Sequence, residues 1–143
     1  MPYAVSVTRL RLRAARFVLP FLWHSFKSNR QALAADGGIA VALRRHRGSY
    51  WTVSVWRDRS AVRAFMMSGA HKHAMPKLAD WCDEAALAHW EQNDAKLPSW
   101  EEAECRLAAE GRLSHVRDPS PAQAQGLILG EQASPETALG KSF

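Results

Sequence analysis

Cysteine is scarce in this chain. Cys82 and Cys105 are the two present, too few for a disulfide framework, which points to reduced thiols in a cytosolic setting. Long apolar runs are missing as well. The N-terminal run from Phe17 to Trp23 follows Arg9, Arg11, Arg13 and Arg16 and ends at His24. It falls far short of the about 20 residues a helix needs to cross a bilayer, and no small-residue cleavage site follows it. The expectation is a soluble, cytoplasmic protein without a membrane partner. There is no phosphate loop, dinucleotide fingerprint or GxSxG elbow, which removes the commonest nucleotide-binding and serine-hydrolase readings. No repeat of solenoid length occurs.

Acidic residues are nearly missing from the first half. Residues 1–78 hold fourteen Lys and Arg against Asp36 and Asp58, a net of +12, whereas residues 79–143 carry a net of −7, within an overall +5. The two halves can pair, within one fold or across a dimer. The basic half can instead hold an anionic ligand or nucleic acid. Nucleic acid ranks last, because the arginines lie on separate strands and turns with no binding motif around them.

What the chain does have is apolar content for a core, 47% hydrophobic over 143 residues, and six tryptophans. Trp is large, rigid and amphipathic, and favours cores, pockets and interfaces. Residues 3–13 alternate with period two and read as a strand, although Arg9, Arg11 and Arg13 share the face of Val5. That face has to become wet or meet acids. Residues 15–35 read as a helix, with Leu19, Leu22, Phe26 and Leu33 at helical spacing. Pro20 sets the start near Leu19, and Asp36-Gly37-Gly38 ends it. Ile39 to Arg45 and Tyr50 to Trp56 form a hairpin across His46-Arg47-Gly48-Ser49.

Asp58 is an N-cap for a helix that carries Val62, Phe65 and Met66, is interrupted at Pro76, and continues to Cys82. Glu84 to Glu91 alternates as a last strand, Ala86, Ala88 and Trp90 against Ala85, Leu87 and His89. Ser99 and Glu102 form a capping box for a short helix running to Glu110, with Trp100, Ala103 and Leu107 on its apolar side. Residues 118–143, rich in Pro, Ser, Ala and Gln, read as a tail, leaving residues 1–117 as the domain.

The order βαββαβ plus a helix is the ferredoxin-like α+β arrangement, four antiparallel strands with two helices on one face. Both faces of the Tyr50–Trp56 strand carry bulky side chains, yet the helices cover one. A second copy would cover the other, closing two sheets into a barrel, so a homodimer is expected.

The segment VWRDRSAVRAFMMS, a Trp-ended strand leading into a helix with an aromatic, resembles the strand-to-helix motif of the dimeric α+β barrel superfamily. That superfamily holds antibiotic-biosynthesis and heme-degrading monooxygenases. AHKHAMPKLADWCDEAALAHW with LPSWEEAECRLAAEGR is similar to an uncharacterised spheroidene-monooxygenase-like bacterial branch. In the heme-degrading members an Asn on the first strand, a Trp on the second helix and an iron-ligating His surround the heme. Carried onto this chain, those positions fall on Thr8, Phe65 and His71. Two of the three differ, which argues against heme degradation while leaving heme or another flat ligand as a cofactor to test.

His71 leads the candidate site. Met75, Leu78 and Cys82 follow it at helical spacing, which points it inward, while His73 falls on the wet side. Its alternative is a buried histidine bonded to backbone. His24 can converge on it from the first helix. Two imidazoles make a poor metal site, and His71 and His73 point from different helix faces, so no metal is expected. Cys82, in an apolar stripe, reads as inert. The resulting expectation is a monooxygenase-like protein that binds a small hydrophobic, optionally anionic, molecule between sheet and helices. Thr8, Trp23, His24 and Phe65 line the pocket and His71 orients the substrate or accepts a proton. Superfamily relatives that act without a metal imply that excluding water and holding an oxygen-reactive substrate suffice. The alternative is a non-catalytic dimeric binding or sensing module.

Overall fold

The structure, a computed structural model, describes residues 2–130. Its elements are β1 (Tyr3–Leu12), α1 (Val18–Ala34), β2 (Gly38–His46), β3 (Ser49–Trp56), α2 (Arg59–Met66), α3 (Gly69–Trp81), β4 (Cys82–Gln92), α4 (Trp100–Glu110), β5 (Arg112–Leu113) and α5 (Pro121–Ala124), with a 3-10 turn at Ala15–Phe17. The antiparallel sheet has the order β2-β3-β1-β4-β5. The first four strands are the ferredoxin-like set expected. The two-residue β5, too short to show a period, was not legible and adds an edge beside β4. The β2–β3 hairpin closes on Arg47 and Gly48, both at positive φ, the backbone a two-residue primed turn requires.

Alternation divides the sheet into two faces. Val5, Val7, Val53, Val55, Trp51 and Trp90 form the main core on the far face, where Ala103 and Leu107 of α4 pack on them together with Ile128 and Leu129. Ser99 caps α4 by accepting from the Glu102 amide at 3.0 Å. The far face is therefore covered inside one chain, Val53 being 1% exposed. The sheet face that seemed to need a second copy does not need one.

The three strand-end arginines also find their acids within the chain. Buried Arg9 pairs with buried Glu84, Arg11 grips Asp83 through two nitrogens at 3.0 and 2.8 Å, and Arg13 donates to the Asp80 carbonyl at 2.7 Å. Charge pairing between the halves is thus intramolecular here.

Residues 118–130 are not a tail. The Ser120 hydroxyl donates to Glu84 at 2.7 Å. The Gln123 carboxamide accepts from the Ala85 amide and donates to the carbonyls of Ala85 and Ser114. Ala122 is buried. A Ser-Pro-Ala-Gln string reads as polar linker, but here its polar groups complete the β4 edge. The rest of the expected tail, 131–143, lies outside the described residues.

Two helix expectations change. The break between the second-layer helices falls at Met67–Ser68 and not at Pro76. Pro76 sits on the exposed side of α3, where water can meet the carbonyl its missing amide leaves free. Gly69 takes φ +56 at the break, and a Cβ there would meet the Gln31 side chain at 2.9 Å.

The second change concerns α1. Its strongest apolar stripe faces outward, Leu19 being 78%, Leu33 57% and Phe26 53% exposed. The inward face is Phe21, His24, Ser25, Ser28, Asn29 and Ala32. Among the described residues no helix is long and apolar enough to cross a membrane.

Candidate functional site

The helix-side face of the sheet carries small polar residues where α1 and α3 pass over it. Ser6 and Thr8 of β1 and Thr52 and Ser54 of β3 pair in register, and Leu87 and His89 of β4 continue the floor. Side chains of this size cannot fill the space under two helices. A cavity of about 160 Å³ remains, lined also by Phe21, His24 and Asn29 of α1, Phe65 and Met66 of α2, and His71 and Leu78 of α3.

Of the residues expected at the site, Thr8, His24, Phe65 and His71 line this one cavity. Trp23 does not. It is 58% exposed and stacks on Phe26, because one residue along a helix turns a side chain by about 100° away from His24. The other floor residues, Ser6, Thr52, Ser54, Leu87 and His89, and Ser25, Ser28, Asn29 and His115 were missed. The signal was present: Phe21, His24, Ser25, Ser28, Asn29 and Ala32 share one helical face, and His89 shares the parity of Ala85 and Leu87.

The His71 imidazole rests on the Phe65 ring at 4.6 Å between centroids, and Phe65 in turn on Trp56 at 4.9 Å. The His24 ring lies 5.4 Å from that of Trp81. The Nδ1 atoms of both histidines are buried without a hydrogen-bond partner. An unpaired buried nitrogen costs roughly 1–3 kcal/mol, so each imidazole keeps one ring nitrogen for a ligand, while the His71 ring also meets the Met66 carbonyl.

Burial pushes His71 below its ordinary 6.5, with the Met66 carbonyl acting the other way. His24 is lowered by burial and then by Lys27 and Lys77. His89 is lowered by burial and then by Arg112 and Arg59. Near neutrality all three are uncharged, able to accept a proton or a hydrogen bond. Cys82 is buried and its thiol is pushed up to about 12 by burial and Asp83, so it is inert at neutral pH.

Among the described residues no group of three or more His, Cys, Asp or Glu is arranged to hold a metal ion. Heme does not fit either. The cavity's 160 Å³ lies below the ~300–1,000 Å³ of drug-sized pockets, and a porphyrin needs more room than that lower bound. No step is therefore routed through it.

Solved structures share the fold. A cofactor-independent oxygenase, SnoaB of Streptomyces nogalater, aligns at 18% identity over 67% of this chain and 96% of its own, with a TM-score of 0.51. A Nitrosomonas europaea protein assigned as an antibiotic biosynthesis monooxygenase aligns at 11% over 62% and 88%, TM-score 0.57. A conserved protein of Methanosarcina mazei Go1 aligns at 15% over 65% and 95%, TM-score 0.59. At these identities the likeness is one of fold, a monooxygenase-like ferredoxin-type α+β fold. No curated protein sequence matches significantly. The family described as "Domain of unknown function (DUF3291)" matches residues 16–119, and the chain belongs to it.

Proposed function

We propose that this protein, whose sequence resembles an uncharacterised spheroidene-monooxygenase-like branch of the dimeric α+β barrel superfamily, binds a small, largely apolar aromatic molecule in the cavity under α1 and α3 and oxygenates it without a resident metal, as relatives in that superfamily can. One observation carries this reading. Thr8, His24, Phe65 and His71, from four different elements, converge on one cavity where the Nδ1 atoms of both histidines are buried without a hydrogen-bond partner.

Neutral His71 accepts the proton of an electron-rich phenol or enol bound against Phe65. The resulting anion reduces O2, and the substrate supplies all four electrons of that reduction. One oxygen atom enters the product and the other leaves as water. The apolar walls exclude bulk water from the anion. His24 and the floor hydroxyls hold the substrate's polar edge.

The test is oxygen uptake with 1-naphthol, which with one O2 gives 1,4-naphthoquinone and water. Saturable uptake that is lost in His71→Ala supports the reading. Saturable binding of 1-naphthol without uptake favours the non-catalytic binding module. No saturable binding removes the cavity from the function altogether.

A second copy of this chain is the partner we propose for the exposed stripe of α1. A two-fold contact needs a patch that meets its own kind, and Leu19, Trp23, Phe26 and Leu33 make one on a helix without acids. Sedimentation equilibrium tests it: a dimer that becomes monomeric in Trp23→Asp/Phe26→Asp is expected, and a monomer in the unaltered protein overturns it.

A further inference from the structure

A second hollow, of about 260 Å³, opens beside the cavity between α2, the start of β1 and the β4–β5 edge. Met66 and His89 belong to the walls of both. The two spaces therefore meet at a partition of one flexible thioether and one imidazole. The cavity alone is smaller than ~300–1,000 Å³, and the two together reach the lower part of that range.

Their chemistry differs. The cavity wall is apolar with uncharged histidines and hydroxyls, whereas the adjoining hollow is lined by Arg59, Arg63 and Arg112. Arg59 is engaged, donating to Glu91 at 3.1 Å. Arg63 and Arg112 make no ion pair among the described residues. They come from different elements. Arg63 stands one helical turn after Arg59 on α2, a helix without an acidic residue. Arg112 sits on β5 opposite Leu87, and thus on the same sheet face as His89. Two guanidinium groups brought together from separate segments repel each other unless an anion lies between them. A guanidinium binds carboxylates, sulfonates and phosphates through paired N–H donors.

Taking the cavity as the ligand site, as the proposed function does, we infer that the ligand is amphipathic. Its apolar body lies in the cavity, and a single anionic group passes Met66 and His89 to sit between Arg63 and Arg112. Arg63 and Arg112 then set specificity for the charged end, and Met66 is the hinge that a ligand of full length displaces.

The test uses two probes that share an anilinonaphthalene body, N-phenyl-1-naphthylamine, which is neutral, and 1-anilinonaphthalene-8-sulfonate, which is anionic. Affinities are measured by fluorescence titration of the full chain at low and at high salt. The expected result is saturable binding of both. In Arg63→Ala/Arg112→Ala the affinity for the sulfonate falls about tenfold or more relative to the neutral probe. Arg63→Lys/Arg112→Lys retains part of the preference, and Arg16→Ala, remote from the hollow, leaves the ratio as it was. Raising the salt weakens the sulfonate alone. An unchanged ratio in the double variant, or binding of the neutral probe without the sulfonate, overturns the arginine site while leaving the cavity reading intact. Failure of both probes overturns both.

Discussion

Gln31 of α1 holds His71 in place through the backbone. Its Oε1 accepts from the His71 amide at 2.9 Å, while its Nε2 donates to the Ser68 carbonyl at 2.8 Å. One side chain thus bridges the break between α2 and α3, where Gly69 leaves the space it occupies. Gln31→Leu keeps the volume and removes both bonds. At about 0.5–1.5 kcal/mol each, thermal or denaturant unfolding should show a loss of roughly 1–3 kcal/mol. Binding of 1-naphthol should weaken with it, because the first turn of α3 loses its register over the cavity. Unaltered binding would mean that His71 is positioned by packing alone.

The orientation of α1 predicts an inverted pattern of mutational cost. Phe21, 2% exposed and packed on Tyr50 at 4.7 Å, should cost about 3–5 kcal/mol when changed to Ala. Trp23→Ser and Leu33→Ser, at exposed positions, should stay within about 0.5 kcal/mol in the monomer. Denaturant midpoints of the three variants decide it. The reverse order would mean that the helix is rotated by half a turn.

Glu84 makes stability dependent on acid pH. Burial alone would raise its carboxyl, but the Ser120 hydroxyl and the Arg9 and Arg11 guanidinium groups outweigh burial and hold it below its ordinary 4.5. Its contribution is therefore fully present above pH 4.5 and is lost as pH falls through the lower folded value. Glu84→Gln leaves Arg9 buried without its counter-charge, and should cost about 3–5 kcal/mol at neutral pH. It should also flatten the acid limb of a stability-against-pH curve. An equally steep limb in the variant would assign acid unfolding to other groups.

The cavity histidines act in the same direction, in a window that begins at higher pH. His24, His71 and His89 are each lowered from 6.5 in the folded protein. As pH falls below 6.5 the unfolded chain takes up protons that the folded chain does not, and stability declines. The acid limb of the 1-naphthol oxygen-uptake profile should accordingly lie below 6.5, because His71 stays neutral until then. A limb at or above 6.5 would exclude His71 as the proton acceptor.

Hemin provides a direct check on ligand class. The cavity is smaller than a porphyrin, so titration should give no Soret shift that depends on His71. A shift that vanishes in His71→Ala would show that α1 and α3 part far enough to admit a macrocycle.

The alternating strands were readable in the chain because period two is a local property. Val5, Val7, Trp51, Val53 and Trp90 each fell on the face where the structure has them. The caps at Asp58 and Ser99 were readable for the same reason, since each bond spans three residues. His71 was also placed inward from spacing along its own helix. The facing of α1 was not readable. Helical periodicity shows that a stripe exists, and it was natural to give the larger apolar stripe to the core. The opposite face, with Phe21 and Ala32 between small polar residues, was the one turned inward.

The residues by themselves determined the βαββαβ order, the caps, the hairpin turn and the pairing of faces within each strand, because these follow from interactions between near neighbours in sequence. Only the tertiary structure decided that α4, Ile128 and Leu129 cover the far face. Only it decided that Arg9 meets Glu84 inside the chain, and that small hydroxyl residues from β1 and β3 leave a cavity in front of His71. Those outcomes depend on which distant segments occupy the same space, and a packing contact leaves no period in the sequence for a reader to find.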